Sequence, residues 1–211
     1  MRAIRAELRK LLTLPSLRLT ALLTVAVNLL LCLGYATAKS RGEPNDNALA
    51  PLSYAQAGFL ILGVLAAASE YQAGGQIHTT LLALPRRWPL QAAKAVTLVA
   101  VTLPVAAVAT ATVALLAGDA TRMAAATGYL TLTTVLAASV AGLVRRVIPA
   151  MVALLTLYFI IGPLLRSRWH ASAAWLPETA AMDPSRGAVA TVVWTLAAMA
   201  LAGFAFHRRD A

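Results

Sequence analysis

Residues 95–117 read AVTLVAVTLPVAAVATATVALLA, an apolar run relieved only by threonines and one proline, with no charged side chain in it. A run of this length outlasts an ordinary strand and matches the ~20 apolar residues a helix needs to cross the ~30 Å hydrocarbon layer of a membrane. Membrane β-strands are excluded by pattern: they need about 10 residues alternating polar and apolar. Stretches such as ILGVLAAAS (61–69) and MVALLTLYFII (151–161) do not alternate. Five further runs share this character, at residues 19–38, 51–69, 123–144, 147–165 and 187–206, each bounded by charge, Pro or Gly. The whole chain agrees, with 60% hydrophobic and 12% charged residues and a mean hydropathy of +0.73, too apolar for the surface of a soluble domain. Its apolar mass is Ala, Leu and Val rather than aromatic, which suits close helix contacts in lipid. The expected fold is an all-α integral membrane protein, one domain over residues 1–211 with six transmembrane helices.

The segment before the first span is different. In MRAIRAELRKLLTLPSLRLT, Ile4, Leu8, Leu11 and Leu12 recur at helical spacing while Arg2, Arg5, Arg9 and Lys10 occupy the other faces. Residues 1–16 are therefore expected to form an interfacial amphipathic helix, broken by Pro15 where the chain turns into the first span. Its plainest role is a lipid-surface anchor; the functional alternative is that one face also meets a partner. A secretory signal is the competing reading, because YATAKS (35–40) offers a small-residue cleavage pattern. The apolar run before it is a full span rather than a short signal core, so a retained first span is expected.

The net charge of +10 would suggest nucleic acid in a soluble chain. Here its location decides otherwise. If six spans alternate, Arg2, Arg5, Arg9, Lys10, Arg18, Arg86, Arg87, Lys94, Arg145, Arg146, Arg208 and Arg209 share one side, twelve of the 18 basic residues. Lys39, Arg41, Arg122, Arg166, Arg168 and Arg186 fall on the other, with most of the acidic residues. The positive-inside rule then places both termini in the cytoplasm, residues 70–94 in a cytoplasmic loop and residues 166–186 in an external one. The basic residues face lipid headgroups, and no nucleic-acid partner is expected.

Catalytic chemistry leaves little trace. No Asp, Glu, Lys, Arg or His falls in the middle of an expected span, so there is no proton relay of the kind ion-coupled carriers use. His78, His170 and His207 are too scattered to form a metal site, and Cys32 is a lone thiol inside the first span. No H-E-x-x-H, G-x-S-x-G or phosphate-cradling G-x-x-x-x-G-K-[ST] occurs. What remains polar in the spans is mild: Asn28, Gln56, the threonines of 95–117, and Thr131 and Thr134 among those of 123–144. Such groups serve either as interhelical hydrogen bonds or as the lining of a substrate pathway, for which Asn28, Gln56, Thr131 and Thr134 are the candidates. Pro104 and the Gly162-Pro163 pair should kink or break their helices. Trp169 and Trp175 read as interfacial anchors of the external loop.

The loop EYQAGGQIHTTLLALPRR (70–87) stands out against these spans. Gly74-Gly75 lets the chain leave the membrane axis, QIHTTLLALP gives about two helical turns with Ile77, Leu81, Leu82 and Leu84 on one side, and Pro85 ends them. Arg86 and Arg87 then sit at headgroup level. This is the form of a short helix across the mouth of a bundle, and equally the form of a passive re-entry loop. Glu70 calls for a basic partner at the membrane edge, for which Arg5, Arg9 and Lys10 are the candidates in kind.

A basic amphipathic N-terminus, six spans and this loop after the second together resemble the bacterial ABC type-2 transporter permeases. The resemblance rests on Glu70, Gly75, Thr79, Thr80, Leu81, Leu82, Ala83, Pro85, Arg87 and Lys94, and on Glu7 and Lys10 as an opening E-x-x-K element. Gln76 departs from it, standing where a threonine often follows the glycine. The resemblance implies the permease subunit of an ATP-driven exporter in the bacterial plasma membrane. It also implies pairing with a second permease subunit, identical or different, and with two copies of a cytoplasmic ATPase that binds the ATP and Mg. Glu7, Lys10, Glu70, Gly75, Thr79, Thr80, Leu81, Leu84, Pro85, Arg86 and Arg87 would then form the coupling surface for that ATPase. A lipophilic small molecule or a peptide is the expected cargo. The rival readings are a non-transporting membrane scaffold or immunity protein, and an intramembrane enzyme.

Overall fold

The computed structural model describes residues 2–40, 50–68, 87–117, 123–168, 175–177 and 186–209, and all but a few of these residues are helical. Five helices are long and apolar enough to cross a membrane. In order, the elements are α1 (Arg2–Thr13), α2 (Pro15–Ser40), α3 (Ala50–Ala68), α4 (Arg87–Ala117), α5 (Met123–Val144), α6 (Val147–Thr156), α7 (Gly162–Arg168) and α8 (Arg186–Arg209). A π-helical turn, Leu157–Ile161, joins α6 to α7, so that these two form one span over Val147–Arg168. In α8 the apolar stretch among the described residues is Val189–Ala205, shorter than the other spans. Six spans were expected, and among the described residues five meet the length criterion.

Three proline sites show how the backbone adapts. Leu14 falls outside both flanking helices and Pro15 opens α2, because the ring disfavours helical geometry in the residue before it and fits the first turn of a new helix. The Arg18 side chain donates to the Leu12 carbonyl, satisfying one of the acceptors freed at the end of α1. Pro104 lies inside α4 without ending it. Pro163 has no N–H and would clash with a carbonyl one turn back in an α-helix; the turn before it is widened instead, with the Gly162 N–H donating to the Leu157 carbonyl. The expected break at Gly162-Pro163 is thus a bulge that keeps the span continuous.

Several boundaries move outward from the expected ones. The first span begins at Pro15 rather than 19, the helix ending at Arg168 takes three residues from the external loop, and α8 covers Arg186–Arg209. The largest correction is α4, which starts at Arg87 rather than 95, so residues 87–94 are helix rather than loop. Trp88 and Pro89 lie in its first turn, where the backbone N–H groups have no intrahelical acceptor and a proline removes nothing. The loop residues Glu70, Gly75, Thr79, Thr80, Leu81, Leu84, Pro85 and Arg86 lie outside the described residues, as do Gln76 and the expected pairing of Glu70. Arg87 is described only as the first residue of α4.

The centre of the bundle is α5, packed along α3, α4 and α8, with α6 beside it. Small residues let α3 and α5 touch backbone to backbone: a side chain at Gly63 would run into the Thr134 carbonyl. Between α2 and α3, Gly58 leaves room only for Thr24. One buried cluster joins Leu60, Val64 and Ala68 to Leu136, Ala137 and Ala141 and onward to Ala150, Leu154 and Tyr158. The outward faces of α2 and of the Val147–Arg168 span carry exposed Leu22, Leu30, Ile148, Ile160 and Leu164, as lipid-facing helices should. The two-residue link between α5 and α6 reverses the chain through Arg145, which has φ 59° and donates its N–H to the Ala141 carbonyl at 2.7 Å. At the opposite end, residues 175–177 are tied to α8 by Trp194 Nε1 donating to the Trp175 carbonyl at 2.9 Å and Thr191 to that of Pro177 at 3.1 Å.

Candidate functional site

Of the four polar residues singled out as pathway candidates, Asn28 and Gln56 bond across helices, and Thr131 and Thr134 bond within their own helix. Asn28, fully buried in α2, donates to the Ala109 carbonyl at 3.0 Å and to Thr112 Oγ1 at 2.8 Å, tying α2 to α4. The Gln56 Oε1 of α3 accepts a 2.9 Å bond from the Tyr129 hydroxyl of α5. Thr131 and Thr134 donate to carbonyls one turn back in their own helix, those of Thr127 and Leu130, at 2.8 and 2.9 Å. Thr97, Thr102 and Thr110 do the same in α4. A hydroxyl in hydrocarbon satisfies itself this way whether or not a neighbour is present.

A cavity of about 120 Å³ lies elsewhere, at the end of the bundle that carries α1. Its walls come from five elements: Glu7 and Leu11 of α1, Ala66 and Ala67 at the end of α3, Gln91 to Leu98 near the start of α4, Val135 to Gly142 of α5, and Met199 and Ala202 of α8. The C-terminal parts of α3, α5 and α8 therefore meet the first turns of α4 at this end. The same end holds Arg5, Arg9, Lys10, Lys94, Arg145 and Arg146, so it is the basic end of the molecule.

Helix α1 lies at this end, packed on α4. The amphipathic pattern predicted one apolar face, and the packing shows how it is divided: Leu11 is buried against the bundle while Leu12 is exposed toward what would be lipid. Glu7, one turn before Leu11, follows it inward and is only 7% exposed. Lys10 Nζ stands 4.0 Å from Glu7 Oε2, close enough for charge compensation and long for a hydrogen bond. Helix α1 is thus packed on α4 in addition to any lipid it touches.

Lys94 belongs to the second element of the resemblance, and the fold brings it to the wall of the cavity that Glu7 also lines. Ser139, one of the mild polar residues of the 123–144 run, joins them, as do Gln91 and Met199, which the sequence did not mark. Ser139 donates to the Val135 carbonyl at 2.8 Å, leaving its oxygen able to accept. The spacing of Val135, Ala138, Ser139 and Gly142 along one helix face is the one signal that could have pointed here. Among the described residues no group of His, Cys, Asp or Glu could hold a metal. No protein-family model, curated protein or solved structure matches this chain.

Proposed function

We propose that the chain is the transmembrane subunit of an ATP-driven exporter of the ABC type-2 kind, exporting a lipophilic small molecule or a peptide. The observation that carries the reading is the convergence of Glu7 and Lys94, members of two motif elements far apart in sequence, on one cavity at the basic end of the bundle. A cytoplasmic ATPase would dock there, and α1, packed on α4, is placed to receive its motion. In this reading α8 is a sixth span. The helix spans 24 residues, Arg186–Arg209, about 36 Å at 1.5 Å per residue and so long enough to cross. It lies along the central α5, with Thr195 Oγ1 3.5 Å from the Leu132 carbonyl. Both termini are then cytoplasmic, in a bacterial plasma membrane. A second permease subunit supplies the other half of the pathway, and the chain hydrolyses no ATP itself.

The test is purification of the tagged chain from its native membrane with identification of its companions. A co-purifying chain with a phosphate-cradling loop supports the reading, and its absence under mild detergent favours a scaffold or immunity protein. Transport in proteoliposomes should then follow ATP and persist when the proton gradient is collapsed at constant ATP. Glu70→Ala, and Leu81→Asp with Leu84→Asp, should leave insertion intact and uncouple ATP hydrolysis from transport; normal transport after both would remove the coupling role of that loop.

A further inference from the structure

We infer that the outward face of the junction between α1 and α2 is a docking surface for an anionic phospholipid, its phosphate held by Arg9 and Arg18 with Arg5 alongside, and its acyl chains laid on the exposed leucines of α2. Such a surface needs a membrane and no ATPase. Burial fixes how α1 is turned. Glu7 and Leu11 face the bundle, and at about 100° per residue Arg9 points almost directly away from it, with Arg5 one turn earlier on the same outward side. Leu8 and Leu12 fall on one flank between these faces and Lys10 on the other. The exposure agrees: Arg5, Arg9 and Leu12 are exposed, whereas Leu8 and Lys10 are half-buried. Glu7, the one acid among the described residues, is turned inward beside Lys10, so no carboxylate of the described residues competes for the three arginines.

The junction itself places the third arginine. Pro15 has no N–H to give to α1, and Arg18 reaches back from α2 with its Nε donating to the Leu12 carbonyl. Its guanidinium is thereby held at the last turn of α1, about 5 Å along the axis from Arg9. Both Nη groups remain, the fork that pairs with two oxygens of a phosphate. Hydrocarbon follows directly: Leu19, Leu22 and Leu23 are each more than half exposed and come one to five residues after Arg18, with Leu22 one turn along the same side of α2. The surface thus runs from cation to leucine in the order that a phospholipid runs from anion to hydrocarbon. Arginines clustered at the end of a span are also the charge pattern that draws anionic headgroups. A soluble acidic protein would answer the arginines but not the leucines continuous with them.

Native mass spectrometry of the full chain, released from nanodiscs of phosphatidylglycerol and phosphatidylcholine in equal amounts, tests the assignment. The wild type should retain phosphatidylglycerol in preference by about tenfold or more, since each arginine near a headgroup is worth roughly fivefold. Arg9→Gln should cut that preference by roughly fivefold, and Arg18→Gln by at least as much. Arg146→Gln removes the same charge from the same end of the bundle, at the exposed link between α5 and α6, and should leave the preference within about twofold of wild type. Equal retention of the two lipids by the wild type, an unchanged preference in Arg9→Gln, or an equal loss in all three variants would each overturn the assignment, the last by showing attraction to the basic end as a whole. Should Arg18→Gln fail to fold for want of its bond to Leu12, the comparison of Arg9→Gln, whose side chain points away from the bundle, with Arg146→Gln decides alone.

Discussion

The contact between α3 and α5 is the most extensive in the bundle, and Gly63 is where it is tightest. In Gly63→Ala the new methyl would overlap the Thr134 carbonyl, lie 2.8 Å from Ala137 Cβ and 3.0 Å from the Ala138 nitrogen. Ordinary contact begins near 3.4 Å, so the helices must separate by at least several tenths of an ångström along a seam that also carries Leu60, Val64 and Leu136. Two of the obstructing atoms are backbone and the third is a Cβ, so no rotamer change relieves them. The cost belongs at the upper end of the ~1–3 kcal/mol range for overpacking. Alanine returns about 1 kcal/mol of helix propensity relative to glycine. The net expectation is destabilisation by about 2 kcal/mol. Reversible unfolding in mixed micelles, titrated with dodecyl sulfate and followed by tryptophan fluorescence, would measure it. Gly34→Ala and Gly128→Ala meet open space and keep only the propensity gain, so they should be neutral or slightly stabilising. If Gly63→Ala unfolded with these two controls, the close approach of α3 and α5 would be refuted.

Other expectations follow from single contacts. A double-mutant cycle between Gln56→Leu and Tyr129→Phe should give a coupling of about 0.6–2 kcal/mol in the same unfolding assay, and zero coupling would mean that their hydrogen bond does not hold α3 to α5. Arg145 occupies a left-handed conformation, so Arg145→Gly should exceed Arg145→Ala in stability by about 1 kcal/mol, both having lost the same side chain; equal stabilities would remove the turn geometry. A reporter placed after Asp210 and a tag within residues 86–89 should be accessible from one side of the membrane, and tags within 41–49 from the other. A C-terminal reporter on the side of 41–49 would show that α8 does not cross.

How much of this was legible in the sequence depends on which physical term dominates at each residue. The apolar runs were legible because a charge in hydrocarbon is costly, and Lys39, Arg122 and Arg186 mark the edges of spans for that reason. Prolines were read as breaks, and here position within the helix mattered more than identity. Pro15 and Pro89 fall in first turns, where the missing N–H has no acceptor to lose, so α4 reaches back to Arg87 and carries Lys94 within its helical wall. Pro163 lies deep in its span, and the chain answers with a π turn rather than an end.

The site was harder to read because α5 has no polar face to declare its orientation; Val135, Ala138 and Gly142 look like any other small apolar residues until α3, α4 and α8 close around them. Glu7 is the exception. Its place one turn before Leu11 means that burying the leucine carries the carboxylate inward as well, and the neighbouring Lys10 ammonium helps to make that burial tolerable. The amphipathic helix is therefore held to the bundle as well as suited to a membrane surface, with Leu11 and Glu7 turned inward and Leu12 outward.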